Sequence, residues 1–132
     1  MIKGDHVKQD LTFCCLPDFA GGYSAEFHGT TNSPKDLAGR FQRIGRLVAD
    51  GNGRFTASTV ASYNGRVIPE NISGTYCVSS KRHVTLRYAA PAAASSEAIL
   101  INGVIGGHGE IVQMMILNDG WGVAGSLLRQ QN

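Results

Sequence analysis

The sequence lacks the long apolar runs that mark membrane spans and signal peptides. No stretch approaches the roughly 20 apolar residues with which a helix crosses a bilayer. Residues 1–10 carry charged side chains where a signal peptide has its apolar core. We therefore expect neither a membrane partner nor secretion, and we predict a cytoplasmic protein.

Charged and aromatic residues are also sparse. Charged residues make up 17% of the chain, the formal net charge is +2, and a single Trp accompanies four Tyr. Surfaces that bind nucleic acid need clustered cations for the phosphates and aromatic rings on which bases stack. The composition therefore argues against a nucleic-acid partner.

Cysteine and histidine are few, and their spacing matches no metal-binding or catalytic motif. The three cysteines are Cys14, Cys15 and Cys77, and the adjacent pair would bond only in a strained ring, so we expect reduced thiols. The four histidines, at positions 6, 28, 83 and 108, form no His-x-His pair. We predict no bound metal and no cofactor.

What the chain does contain is a regular series of turn signals between strand-like runs. The turns are rich in Gly, Asn and Asp and lie at residues 50–53, 64–65, 106–107 and 118–120. Such signals predict a meander of antiparallel hairpins. The predicted strands are 22–28, 41–49, 54–63, 72–78, 83–89, 98–105, 110–117 and 121–129. A meander of this length buries its apolar face best by closing, so we predict an all-β, eight-stranded antiparallel up-and-down barrel over residues 20–132.

Several segments fall outside this strand pattern. For residues 1–19 we predict an N-terminal tail with a short appendage lying on the barrel. For residues 33–37 we predict a single helical turn. Residues 90–96 are small and uncharged and read as the longest flexible connection. Residues 67–68 would open the fourth strand directly after the turn at 64–65, but Pro69 cannot donate to a sheet, which predicts a bulge or an edge there.

Two neighbouring strands, 98–105 and 110–117, are apolar on both faces. A two-residue turn at Gly106 and Gly107 would set one apolar face towards the lumen, and the opposite face is apolar as well. The inward set would be Ile99, Ile101, Ile105, Val112, Met114 and Ile116, and the outward set Leu100, Val104, Ile111, Met115 and Leu117. A second subunit would cover the outward set, so we expect a homodimer; the alternative is that residues 11–19 fold over it.

Several short phrases of the chain resemble a group of small bacterial β-barrel proteins, most of them uncharacterised. The phrases are Gly39-Arg40-Phe41, Ile44-Gly45-Arg46-Leu47, Asp50-Gly51-Asn52-Gly53, Asn64-Gly65, the Ile72–Val78 stretch and the ending Gly125–Gln130. The likeness covers residues 20–130. Because these phrases are turns and strand edges, the resemblance implies a fold and transfers no catalytic residue.

The predicted architecture is also similar to the calycins and to the allene oxide cyclase and dirigent barrels. That similarity implies either capture of a hydrophobic ligand or cofactor-free cyclisation inside the lumen. Fold alone does not choose between the two.

Two acid and histidine pairs are candidate catalytic groups. His108 and Glu110 would follow the Gly106–Gly107 turn and face the lumen mouth, and the alternative is a polar rim beside the turn. Glu26 and His28 share a strand face about 7 Å apart, and the alternative is that this face is solvated. A carboxylate in an apolar lumen would have a raised pKa and serve as an acid or a base.

Other side chains are candidate contacts for a substrate. The candidates are Tyr63, Tyr76, Tyr88, Trp121 and Met114. The aromatic ones would line a cavity and donate hydrogen bonds, or else act as ordinary core residues. Arg46 and Arg87 lie inside strands and would anchor an anionic oxygen if they face inward, or solubilise the barrel if they face outward.

Three functional hypotheses follow. The first is a cofactor-free cyclase or isomerase acting on a small hydrophobic, natural-product-like substrate in the lumen, and it is favoured by the ionisable groups predicted there. The alternative is a non-catalytic barrel that binds the same kind of molecule. The third is a barrel filled with side chains that acts through its surface, which a lumen of about 300 Å³ or more would exclude.

Overall fold

The chain folds into a closed barrel in which each strand pairs antiparallel with the next and the last pairs with the first, as seen in a computed structural model. The structure describes residues 19–32, 38–89 and 98–130. The strands are β1 (Ala20–Thr31), β2 (Gly39–Asp50), β3 (Arg54–Tyr63), β4 (Arg66–Val78), β5 (His83–Ala89), β6 (Ala98–Gly106), β7 (Ile111–Ile116) and β8 (Trp121–Arg129). No helix occurs in the described residues. The predicted eight-stranded barrel is confirmed.

Alternation of side chains explains why these runs form strands around one core. In β5, buried Val84, Leu86 and Tyr88 alternate with exposed residues at every position. Because successive side chains of a strand point to opposite faces, this pattern directs one set into the barrel and the other to solvent. The same alternation in all eight strands fills the lumen with one apolar cluster.

Two glycines allow neighbouring strands to approach closely enough for closure. A Cβ atom on Gly74 would lie 2.0 Å from the backbone oxygen of Arg87. One on Gly125 would lie 2.0 Å from the backbone oxygen of Glu26. Small barrels coil their strands tightly, and glycine removes the side chain at the tightest points.

The fourth strand begins earlier than predicted and runs without interruption. Its pairing with β3 keeps one register from Arg66 to Thr75, with Pro69 opposite Val60. β5 pairs with β4 only over Gly74–Val78. Pro69 therefore lies where β4 has one strand partner among the described residues, which confirms the predicted edge and shows that no bulge is needed.

The turn between β6 and β7 differs from the prediction. Residues 107–110 form a four-residue turn, in which the Gly109 amide donates to the Gly106 carbonyl at 3.1 Å. Strand pairing starts at Gly106 and Ile111. The loop has two residues more than predicted. Because side chains alternate between the faces of a strand with a period of two, the same residues of both strands still point inward.

The outward face of β6 and β7 is apolar and exposed, as predicted. Val104, Met115 and Leu117 are each at least half exposed, and Leu100 lies beside them. The homodimer that this face suggested stays a prediction. The alternative cover, residues 11–18, lies outside the described residues.

Other predictions also fall on residues outside the described part. These are the tail over 1–18, the helical turn over 33–37 and the connection over 90–96. Within the part of the chain that the structure describes, there is no helix able to span a membrane. The expectation of reduced thiols is wrong for Cys77 of β4, which is disulfide-bonded.

Candidate functional site

Aromatic rings close one end of the barrel, which we call the aromatic end. Phe19 is fully buried and stacks on Tyr23 with ring centroids 4.8 Å apart. The Phe19 ring also packs edge-on against Tyr76, with ring centroids 5.0 Å apart. Arg129 covers the cluster by donating hydrogen bonds to the Tyr23 hydroxyl at 3.2 Å and the Ala20 carbonyl at 2.8 Å. The Tyr76 hydroxyl is buried here without a hydrogen-bond partner among the described residues.

A buried ion pair lies towards the other end, which we call the ion-pair end. The Arg43 guanidinium pairs with the Glu70 carboxylate, and both side chains are almost entirely buried. Tyr63 joins them, because its hydroxyl accepts from Arg43 at 3.2 Å and donates to Glu70 at 2.9 Å. Phe41 packs under the guanidinium and edge-on against Trp121 at the rim.

Strand register explains why these three side chains meet. Arg43 lies opposite Ala61 on β3, and Glu70 lies opposite Thr59 on β3. Ala61 and Thr59 are two residues apart, so Arg43 and Glu70 point to the same side of the sheet from the strands flanking β3. The Thr59 hydroxyl donates to the Glu70 backbone oxygen at 2.8 Å and fixes this part of β4.

The ion-pair end is electrically compensated but not fully hydrogen-bonded. An unpaired buried charge would be strongly unfavourable, and the pairing of Arg43 with Glu70 removes most of that penalty. Burial raises the pKa of the Tyr63 hydroxyl above its ordinary value, which keeps it protonated as a donor to Glu70. Burial also raises the pKa of Tyr88, an effect that nearby Arg43 opposes. The Arg43 Nε atom has no hydrogen-bond partner among the described residues.

A small cavity lies inside the barrel and borders the ion pair. Its volume is about 40 Å³. Arg43, Tyr88 and Thr59 are its polar lining residues, and most of the remaining wall is apolar, including Met114 and Leu86. Pockets for drug-sized ligands measure about 300–1,000 Å³. The lumen is therefore nearly filled by side chains, and the hypothesis of a filled barrel is not excluded.

The predicted catalytic residues lie outside the lumen. Glu26 and His28 are exposed on the outer face of β1, so the solvated alternative is confirmed for this pair. His108 and Glu110 are exposed in the β6–β7 turn, so they do not face the lumen and the alternative of a polar rim beside the turn is confirmed for this pair. The turn is two residues longer than predicted, which removes both residues from the strand ladder.

The chemistry of Glu110 also differs from the prediction. The His108 backbone amide donates to its carboxylate at 2.6 Å. This hydrogen bond lowers the pKa of Glu110, whereas a lumen position would have raised it. Glu110 thus acts as a turn-capping carboxylate that stays ionised at neutral pH.

The predicted substrate contacts divide between the two faces. Tyr63, Tyr88 and Met114 are buried in the lumen near Arg43 or its cavity, and Trp121 lies half-buried at the rim. Tyr76 is buried at the aromatic end, away from the cavity. Arg46 and Arg87 are exposed and face outward, so neither anchors a ligand in the lumen.

Sequence reasoning missed the two central residues, Arg43 and Glu70. The signal was present: Arg43 is in phase with buried Phe41 and Leu47, and Glu70 is in phase with buried Ile72. A charged residue at an inward position of a period-two pattern marks a buried polar site.

Metal binding finds no support in the described part of the chain, where no three His, Cys, Asp or Glu side chains cluster. No protein-family model, curated protein or solved structure matches the sequence. The likeness to small bacterial barrels therefore stays a prediction, and the site's function has to be argued from its own chemistry.

Proposed function

We propose that the protein is a binding barrel that holds a small, mainly apolar molecule in its lumen, with a hydrogen-bond acceptor of that molecule on Arg43. The observation that carries the proposal is the unpartnered Nε–H of a buried arginine bordering an apolar cavity. A buried donor without a partner is unfavourable by about 1–3 kcal/mol, and a bound carbonyl or ether oxygen would remove that penalty.

The surroundings of Arg43 favour a neutral ligand over an anion. Glu70 already neutralises the guanidinium, and a ligand carboxylate would bring a second negative charge beside it. The apolar wall favours a compact hydrocarbon body. Met114 lines the cavity, and its unbranched side chain has rotamers that would enlarge the space for a ligand.

The cyclase or isomerase stays a prediction that the arrangement of side chains does not favour. Its proposed acids and bases, Glu26, His28, His108 and Glu110, are all exposed. The one buried carboxylate among the described residues, Glu70, is held in a network with Arg43 and Tyr63. A natural-product-sized substrate would also need far more space than 40 Å³.

The cytoplasmic location likewise stays a prediction. The disulfide at Cys77 argues against it, because disulfides persist in oxidising compartments and are rare in the cytosol.

Mass spectrometry tests whether the barrel carries a ligand. Gently purified protein would be weighed under native conditions, and any bound molecule would be identified after denaturing extraction. We expect a small neutral oxygen-containing molecule. Protein that is purified without a bound molecule and that also fails to bind cyclopentanone would contradict the proposal.

A pair of probes and a pair of variants test the site itself. Cyclopentanone and cyclopentane share a shape, but only the ketone offers an acceptor to Arg43, so we expect tighter binding of the ketone in ligand-detected NMR. Ala57→Leu fills the cavity wall and should abolish binding, whereas Ala124→Leu adds the same bulk to the exposed face of β8 and should not. Equal binding by both variants would place the probes outside the lumen.

A further inference from the structure

A second candidate site lies on the outside of the barrel, on the outer side of β3, β4 and β5 and their connecting turns, here called the basic wall. Over residues 51–89 the only carboxylate is Glu70, and it points into the lumen. The cations of this stretch are all exposed: Arg54, Arg66, Lys81, Arg82 and Arg87. This stretch of the sequence is rich in cations, and the fold buries its one carboxylate.

The carboxylates of the other described residues lie away from the basic wall or are engaged at its border. Glu26, Glu110 and Asp119 belong to β1 and to the turns flanking β7. Asp50 stands beside Arg54 and accepts hydrogen bonds from the backbone amides of Asn52 and Arg54. These hydrogen bonds lower the pKa of Asp50 and fix the turn.

The surface between the cations is a trough in which hydroxyl and amide groups lie beside Arg46 and the apolar side chains of Val48, Ala57 and Ile72. Thr56 lies opposite Ser73, and Ser58 opposite Asn71, on the outer face of β3 and β4. Two open depressions of about 410 and 310 Å³ run over these residues and meet at Ser73. The second depression reaches Arg87.

Two guanidinium groups flank the trough at a defined spacing. Arg54, Thr75 and Arg87 lie in one row across three strands. The strand spacing places the Cα atoms of the two arginines about 10 Å apart. Side chains at this separation are suited to neighbouring charges of a polymer rather than to one small ion.

We propose that the basic wall binds an anionic polysaccharide, whose hydroxyl groups contact the trough and whose carboxylates or sulfates contact Arg54 and Arg87. Charge complementarity selects a polyanion, since among the described residues the wall itself carries no outward carboxylate and Asp50 at its border is engaged in the hydrogen bonds of its turn. The aromatic residues of these strands, Phe55, Tyr63, Tyr76 and Tyr88, are buried, so the wall has no platform for stacking nucleic-acid bases. This inference is independent of the lumen site.

Affinity electrophoresis through gels containing polygalacturonate or dextran sulfate tests the proposal, with neutral dextran as the control polymer. We expect retardation by the two polyanions that weakens with added salt. Removing one cation with Arg87→Gln should weaken binding about fivefold, and Arg54→Gln with Arg87→Gln about 25-fold. Arg40→Gln removes the same charge from an exposed position on β2 outside both depressions and should change binding less than about twofold.

Three results would overturn the proposal. The first is no retardation by either polyanion at low salt. The second is equal weakening by Arg40→Gln and Arg87→Gln, which would reduce the effect to overall charge. The third is tighter binding of oligo(dT) or of anionic lipid vesicles than of polygalacturonate and dextran sulfate. All three substitutions are at exposed positions, and unchanged thermal unfolding will confirm that the variants fold.

Discussion

The two ends of the barrel are closed by different chemistry. Phe19, Tyr23 and Tyr76 close the aromatic end by ring stacking. At the ion-pair end, Arg43, Glu70 and Tyr63 are joined by an ion pair and hydrogen bonds. Among the described residues each end buries one polar atom that has no hydrogen-bond partner, but only the ion-pair end buries charged side chains.

That difference is the reason for proposing a binding site at the ion-pair end. Replacing a buried ion pair with apolar residues is often neutral or stabilising, so stability alone does not explain Arg43 and Glu70. Departures from the rules of core packing concentrate at functional sites. The cavity and the unpartnered Arg43 Nε atom belong to this same network.

The largest expected effect comes from breaking the ion pair at one partner. Glu70→Leu leaves the Arg43 charge buried and unpaired, and we expect a loss of about 3–5 kcal/mol in the free energy of unfolding, measured by urea denaturation. Combining it with Arg43→Met removes the stranded charge and should recover most of the loss. If the free energy of unfolding of Glu70→Leu alone lay within about 1 kcal/mol of the wild-type value, Arg43 would be solvated.

Truncating the aromatic plug should cost slightly less stability and leave binding intact. Phe19→Ala removes a fully buried ring, and we expect a loss of about 3 kcal/mol. Cyclopentanone binding should survive, because Phe19 does not line the cavity. Loss of probe binding in folded Phe19→Ala protein would mean that the two ends do not differ as described.

Removing the hydroxyl of Tyr63 should lower the free energy of unfolding by an intermediate amount that depends on pH. Tyr63→Phe removes its hydrogen bonds with Arg43 and Glu70, and we expect a loss of about 1–2 kcal/mol at pH 7. The pKa of Tyr63 is raised in the folded state, so its protonated form contributes stability below the unfolded pKa of about 10, and this contribution is lost as pH rises above that value.

Urea denaturation from pH 7 to 11 tests this pH dependence. The wild type should lose stability above pH 10 more steeply than Tyr63→Phe. Parallel pH profiles would show that Tyr63 is not coupled to the ion pair.

The smallest effect should come from the exposed carboxylate of β1. Glu26→Gln is expected to change the free energy of unfolding by less than about 0.5 kcal/mol, because the side chain is exposed. Probe binding should be unaltered as well. A clear loss of binding would return Glu26 to the candidate site.

The sequence predicted the fold better than the site. The Gly, Asn and Asp turns placed eight strands, and β3, β5 and β8 have the predicted bounds, because hairpin turns and alternation are local signals. Glu110 was misplaced because the length of a glycine turn is not determined by Gly106 and Gly107 alone. Arg43 and Glu70 meet only through the register of three strands, which no local pattern contains.

The most direct test of the lumen site is methyl-detected NMR of the protein titrated with cyclopentanone. Three adjacent pairs in the same strands provide internal controls, with one side chain facing the cavity and the next facing solvent: Ile101 and Leu100, Met114 and Met115, and Leu127 and Leu128. We expect saturable shifts of Ile101, Met114 and Leu127 that are absent in Ala57→Leu, with their outward neighbours unmoved. Shifts confined to the outward methyls, or none at all, would show that cyclopentanone does not enter the lumen.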